Sequence, residues 1–534
     1  MIDFEHLGDE LKDLLTYAGK HQNYTRGMDC YRMATVFLED NFAKKNYKIV
    51  LHGAGGHTRK LLGLASPLLI NSIVAITDGV HTGVTLGDFE VCDTAVLLDI
   101  EYDFVVMSSE VNQPTMRREL SGLGILEAKI VDIYNDKGFG KYIFSMPSEQ
   151  GKVNQLAAKI NASDNPILVI SNNMTPVHLK LFKYLGGYFN IFVATSDPYL
   201  HGMKIDTTKD DFLFFHQFDF SADLLFLASE ITKGKILTIN GVYWNSLGAS
   251  VLAVSKVDVI SLFVDILSSA HKDIKVLDAV CDAKIQMLSE KFLWEKSAGV
   301  IFKEAIELAE SNIEKYKPNK YIQFFDYCDD IVLPERKVGE VVSFVYAGGL
   351  ASPNAKDHAF ALQRSIFDVA SVLLDGGCRF GIFNAYDHGE DSGFDIYQNT
   401  IKSDLFSYSR AVLPSQLYGE LCEYDVGVIL FDFAKVLDKY DFGYFKFGSS
   451  TKIIAYIEAE LPIVISKEAE TMASFVEQNE IGIAISWDEL HLLPSMFTQE
   501  SIDKYRQNIK KLKHSLSYKH QIGRLVEFIG SCHN

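Results

Sequence analysis

The chain has 534 residues, enough for about three domains of ordinary size, with 48% hydrophobic and 23% charged residues, as in a soluble globular protein. A net charge of −19 argues against a nucleic-acid groove, which needs concentrated Lys and Arg. Cys30, Cys92, Cys281, Cys328, Cys378, Cys422 and Cys532 are scattered, odd in number and without a CxxC pair, which speaks against a disulfide framework or zinc site and for a reducing compartment.

Met1–Glu10 is acidic and lacks the basic start and apolar core of a signal peptide. Helical spacing runs from Phe4 to Phe42, through Leu11, Leu14 and Leu15 and then Met33, Val36 and Phe37. An α/β pattern follows. Strands are predicted at Lys48–Leu51, Ile73–Ile76, Phe104–Met107 and Lys129–Ile133, with the glycine turn Gly53-Ala54-Gly55-Gly56 after the first and Asp78 closing the second. Glycines let a ligand approach the helix N-terminus, and an acid at the second strand end sits where a ribose hydroxyl would be met. Thr58 stands where a third glycine would complete the dinucleotide fingerprint. GAGGHTRKLL resembles the Rossmann-like N-terminal domain of several bacterial glycan enzymes, including the nucleotide-sugar-binding domain of sugar acyltransferases. Gly53, Gly55 and Asp78 are therefore candidate ligand contacts; the alternative is an accessory or homo-oligomerisation domain that keeps the turn for its geometry. His57 and Arg59 either touch a phosphate or are solvated first-turn residues.

Residues 1–150 are assigned to this domain, and a linker from about Asn135 to Asp164 leads into a second, residues 151–338. Strands are expected at Ile167–Ile170, Ile191–Ala194, Leu224–Phe226, Lys235–Ile239, Asp258–Val264 and Gly299–Phe302. The uncharged run Ile236–Ser255, broken by Asn240, Gly241, Asn245, Ser246 and Gly248, reads as strand, loop and helix, not a membrane span. Ligands of parallel sheets bind beyond the strands' carboxyl ends, which makes His178, Asp197, His201 and Asp265 candidates by position.

The third domain, residues 339–534, centres on Phe445–Ser466. Gly448, Ser449, Ser450 and Thr451 form a hydroxyl-rich loop, Ile453, Ile454 and Ile457 share one helical face, and Pro462 ends the helix before Ile463-Val464-Ile465. Unpaired N–H groups at the helix start, with Lys452 beside them, suit a diphosphate; the plainer reading is a capped helix. This order of Gly, Ser/Thr, Lys, helix, Pro and strand resembles the nucleotide-sugar-binding segment of GT-B-fold glycosyltransferases. Val341–Leu350, Cys378–Asp387, Leu413–Asp432 and Phe475–Ile485 resemble its neighbouring elements.

The resemblance implies an α/β fold of two facing Rossmann-like domains (GT-B), preceded here by the additional Rossmann-like α/β domain. Lys320–Lys337 would connect the two lobes, and the basic helix Ile502–Ile529 would cross back. It further implies transfer of a sugar from a nucleotide-sugar donor to a glycan, lipid-linked or protein acceptor, with no cofactor and no metal. Donor contacts would come from Gly348, Gly349, Lys356, Asn384, Ser449, Ser450, Thr451 and Lys452. An inverting enzyme would need a base among Asp265, Asp197, His201 and His178. The glutamate pair of many retaining relatives is replaced by Phe447 and Ala455, and Glu458 and Glu460 are read as facing water. That departure keeps open a non-catalytic nucleotide-sugar-binding or scaffold subunit of a glycan-assembly complex. A cytoplasmic location is expected, with peripheral contact at the inner membrane face through Lys510, Lys511 and Lys513 as a further option.

Overall fold

The structure is a computed structural model that describes residues 12, 28–109, 112–135, 139, 142, 150–171, 176–195, 199–200, 203–204, 213–218, 221–241, 245–270, 283–329, 331–336, 339, 341–350, 365–384, 401–409, 412, 414–435 and 441–533. Asp197, His201 and Lys356 lie outside the described residues. The chain divides into two compact units, Met1–Ala157 with Phe218–Glu230, and Ala158–Gln217 with Ile231–Asn534.

In the first unit, β1 (Ile49–His52), β2 (Ile73–Thr77), β3 (Thr85–Leu86), β4 (Phe89–Cys92), β5 (Phe104–Met107) and β6 (Ile130–Val131) form a sheet in the order β3-β4-β2-β1-β5-β6. Only the β3–β4 pair is antiparallel. Strand order reverses between β1 and β5, and Gly53 follows β1 at that switch point. The helix Met28–Asn41 buries Met33 and Phe37, as their spacing predicts, together with Ala34 and Leu38, while Val36 is half-buried.

The second unit holds two parallel sheets. The first has seven strands: β7 (Pro166–Ser171), β8 (Asn190–Thr195), β11 (Leu213–Gln217), β12 (Lys235–Asn240), β13 (Val259–Phe263), β14 (Gly299–Phe302) and β15 (Tyr321–Gln323), in the order β11-β8-β7-β12-β13-β14-β15. A short hairpin of β9 (Tyr199–Leu200) and β10 (Met203–Lys204) stands apart from it. The strand expected at Leu224–Phe226 is instead inside the helix Ser221–Glu230. A short unbroken apolar run fits a buried helix as well as a buried strand, so periodicity could not separate them; the strand itself is β11.

The second sheet has six strands: β16 (Ser343–Gly348), β17 (Arg379–Asn384), β18 (Phe406–Ser409), β19 (Val426–Ile429), β20 (Ile463–Ser466) and β21 (Gly482–Ile485), in the order β18-β17-β16-β19-β20-β21. One face packs on Val345, Tyr456, Ile457 and Val476, the other on Phe344, Val369, Ile382 and Leu493. Covering on both faces is what makes these strands nearly continuous apolar runs. Strand order reverses between β16 and β19. Tyr456, on the helix Thr451–Glu458, lies across that switch point over Gly427, where any side chain would collide with its ring. Its hydroxyl lies 3.0 Å from Ala347 N, 3.2 Å from Val345 O and 3.1 Å from Val428 O, fixing the helix on both strands.

The C-terminal segment is two helices, Gln499–Ser515 and Tyr518–Ser531, broken at Leu516 and Ser517 where one continuous helix was expected. The first packs Ile502 and Ile509 on the six-stranded sheet's cores; the second buries Tyr518, Ile522, Leu525 and Ile529 in the core of the seven-stranded lobe. The break lets one amphipathic segment serve both lobes. At it, Cys328 donates its N–H to Leu516 O (2.8 Å), and Tyr518 N–H donates to Cys328 O (2.9 Å). No helix among the described residues is long and apolar enough to cross a membrane.

Candidate functional site

Lys452 lies in the first turn of the helix Thr451–Glu458, at the carboxyl end of the β16–β19 switch point. Its stem packs on Gly348, where a Cβ would collide with Lys452 Cε. Its ammonium lies 5.5 Å from the Tyr346 ring centroid and 5.8 Å from that of Phe431. Burial, followed by the nearby Lys303 charge, pushes the Lys452 pKa down to about 8. An ammonium desolvated between two rings gains from an anion what water does not supply.

The opposing lobe meets this end of the sheet with charge. Asp265 follows β13, Lys303 and Glu304 follow β14, and Asp326 follows β15, so all four come from adjacent strand ends. Tyr444 donates its hydroxyl to Asp265 Oδ1 at 3.0 Å. Ser449 donates its N–H to Glu304 Oε2 at 2.6 Å, and Ala305 N–H reaches Phe447 O at 3.4 Å. Glu304 is 1% exposed, and burial raises its pKa to about 8 against the lowering effect of Lys303. Burial also raises the Asp326 carboxyl. For Lys303 burial acts downward, but Asp326, Asp265 and Glu304 together hold its pKa above the ordinary lysine value. The arrangement is two ammonium groups and three carboxyl groups where the lobes touch, a setting able to bind a diphosphate and to move a proton.

Residues 382–526 match the family model described as Glucosyltransferase 3-like, C-terminal domain. This stretch is similar to the C-terminal domain of Glucosyltransferase 3-like proteins. It runs from β17 into the helix Tyr518–Ser531 and includes Ser449–Lys452. Solved structures similar in shape include T4 phage beta-glucosyltransferase (11% identity, 68% of this chain and 99% of that one, TM-score 0.37). The N-terminal domain of the trehalose-6-phosphate phosphatase of Candida albicans aligns at 8% identity over 70% of this chain and 98% of that one, TM-score 0.46. A mutant O-GlcNAc transferase of Thermobaculum terrenum aligns at 11% identity over 99% of this chain and 97% of that one, TM-score 0.42. At those scores the alignments carry no argument; the two parallel sheets joined by crossing helices are themselves the two Rossmann-like lobes of a GT-B architecture. No curated protein matches the chain in sequence.

The expected donor residues, Gly348 and Gly349 before the matched stretch and Asn384 and Ser449–Lys452 inside it, divide. Gly348 and Lys452 touch, whereas Gly349 is tied back through its carbonyl to the Tyr346 hydroxyl at 2.9 Å. Asn384 is buried at the end of β17, where it accepts Leu350 N–H at 3.1 Å and donates to Tyr408 at 3.0 Å, so it fastens the glycine loop. Ser450 caps the helix, accepting Lys452 N–H at 3.4 Å, and Thr451 is exposed beside it. The Ser449 amide, expected to meet phosphate, is occupied by Glu304. Of the base candidates, Asp265 is in the charged cluster, while His178 is buried in the first turn of the helix Pro176–Leu185. Glu458 corrects an expectation outright: its side chain is fully buried and paired with Lys180, because the helix end that carries it turns toward the other lobe and not toward water.

Sequence reasoning missed Lys303, Glu304, Asp326 and Tyr444. The strand-end rule that selected Asp265 after β13 applies equally to Lys303 and Glu304 after β14, so a signal existed. For Tyr444 none did, because its partner is 179 residues away.

In the other unit, Gly53 adopts φ +115°, and a Cβ there would come 2.6 Å from Met116 Cε. The Asp78 carboxylate accepts N–H groups of Ala54 (2.7 Å), Val80 (2.7 Å) and His81 (3.0 Å). Burial works to raise the Asp78 pKa, but these amide bonds outweigh it and hold the carboxyl below its ordinary value. Thr58, in the third-glycine place, donates to Gly53 O and lies 2.8 Å from the Ser108 hydroxyl, locking the turn. His57 is not a solvated first-turn residue: it is 2.9 Å from Ser108 Oγ and bonded to the Tyr134 hydroxyl, and burial, aided by Lys60, lowers its pKa to about 4. Gly55 opens the helix Gly56–Leu64 with clear space above it.

Proposed function

We propose that this protein transfers a glycosyl group from a nucleotide-sugar donor to a glycan, lipid-linked or protein acceptor in surface polysaccharide or glycoconjugate synthesis. The observation that carries the reading is Lys452: a desolvated ammonium over Gly348 at the switch point of the six-stranded sheet, on a helix inside the stretch similar to the Glucosyltransferase 3-like C-terminal domain. Negative charge grows on the departing diphosphate as the glycosidic bond breaks. Lys452 and the Ser450–Thr451 end of the helix would stabilise that charge without reorganising.

Across the junction, Asp265 would take the proton of the acceptor hydroxyl, with Tyr444 orienting the carboxylate. Glu304 would act by position, holding the Ser449 amide until the donor phosphate replaces it. Donor entry on this reading requires the Ser449–Glu304 and Tyr444–Asp265 contacts to part and lobe closure to restore the site without bulk water. A cytoplasmic location, where sugar nucleotides are available, belongs to the same reading.

The test is nucleotide release from UDP-, GDP-, CMP- and dTDP-sugars by wild type and Lys452→Ala. Release that depends on Lys452 supports glycosyl transfer. Nucleotide binding without release, with cell-derived acceptors present, would instead favour a binding or scaffold subunit.

A further inference from the structure

A cavity of about 480 Å³ lies beside the bend between the two C-terminal helices, where the chain crosses between lobes. Lys510, Lys513 and His514 line it from the first helix, and Lys519 and His520 from the second. Ser517 completes this wall and caps the second helix by accepting His520 N–H at 3.2 Å. That volume is in the range of small-ligand sites. In a chain of net charge −19, three lysines converging on one hollow run against the overall balance.

Acidic groups nearby account for only part of this charge. Asp329, the one carboxylate among the described lining residues, is held by Lys183 at 3.0 Å and by the Tyr184 hydroxyl. Glu460 is shared, 3.5 Å from Lys510 and 3.8 Å from Lys513, and Lys513 also donates to Glu458 O at 2.9 Å. Lys519 makes no ion pair among the described residues. The first N–H groups of the 14-residue helix Tyr518–Ser531 add the positive end of its dipole at the same place.

We infer that this cavity binds a phosphate-bearing anion, a diphosphate or phosphomonoester, through Lys510, Lys513 and Lys519. The site shares no residue with the donor crevice, so it stands or falls independently of the glycosyl-transfer reading. Its ligand would touch both helices at the joint where the chain passes between the lobes.

Calorimetric titration of the full chain with inorganic pyrophosphate tests it, using wild type, Lys452→Met, the double variant Lys510→Gln/Lys519→Gln, and the combination. Both substituted lysines are exposed, so the fold is expected to persist, and the melting curve checks this. The expected result is pyrophosphate binding that the double variant weakens by about tenfold or more, whether or not residue 452 is Lys, since charge-assisted bonds are lost. Unchanged affinity in the double variant, or no binding in the Lys452→Met protein, overturns the site. Flotation with vesicles of phosphatidylcholine, with and without phosphatidylglycerol, identifies the source. Flotation that needs the anionic lipid and both lysines assigns a lipid headgroup; pyrophosphate binding without flotation assigns a soluble phosphorylated ligand.

Discussion

The ammonium of Lys180 lies 2.6 Å from both carboxylate oxygens of Glu458. Lys180 belongs to the helix Pro176–Leu185 of the seven-stranded lobe, and Glu458 ends the helix Thr451–Glu458 of the six-stranded lobe. The carboxylate also accepts the Asp329 N–H at 2.6 Å, and the ammonium lies 4.8 Å over the Tyr418 ring. With Glu458 fully buried, each charge depends on the other for what water would have supplied.

Removing one partner leaves the other stranded. Lys180→Met should destabilise the protein by about 3 to 5 kcal/mol, and Lys180→Met/Glu458→Gln by clearly less than the sum of the single changes. Denaturant titration of the three variants measures this; additive effects would show that the pair is uncoupled.

Lys452 must be charged to hold a diphosphate, and burial lowers its pKa to about 8. The charged form prevails below that value, so kcat/KM for the donor should fall as pH rises through it. Lys452→Arg, charged throughout, should move that alkaline limb upward, whereas Lys452→Met should reduce turnover by about 100-fold or more at every pH. A limb unmoved in the arginine variant would assign it to another group.

Glu304 carries the opposite sign. Its folded pKa, about 8, stands above the ordinary 4.5, so the native state holds a proton that the unfolded chain has lost. The stabilisation is complete below pH 4.5 and is lost as pH rises through about 8. Glu304→Gln should flatten the decline in melting temperature across that window; a decline equal to wild type would remove Glu304 as its cause.

Gly348→Ala adds a methyl where Lys452 Cε now lies. The lysine stem can swing aside, so the expected effect is on the site more than the fold: donor affinity falls by about tenfold, from one displaced charge-assisted contact, with little change in melting temperature. Donor titration and a thermal melt together check it, and an unaltered affinity would separate Gly348 from donor binding.

How far the chain could be read in advance follows from the range of each interaction. The strand Ile463–Ser466, the loop before it and the helix bearing Lys452 are set by residues within a few positions of each other, through spacing, capping and Pro462. The same holds for the turn at Gly53, whose φ of +115° favours glycine. Leu224–Phe226 shows where local reading fails, since apolar residues in an unbroken run carry no period.

What the sequence determined by itself was the alternation of strands and helices, the glycine turns and the lysine beside the hydroxyl-rich loop, because each depends on neighbours along the chain. Only the tertiary structure decided that Glu304 occupies the Ser449 amide, that Tyr444 meets Asp265, and that Glu458 is sealed against Lys180. Those partners stand 145, 179 and 278 residues apart. A carboxylate's role depends on which charge and how much water surround it, and that is fixed when the lobes pack.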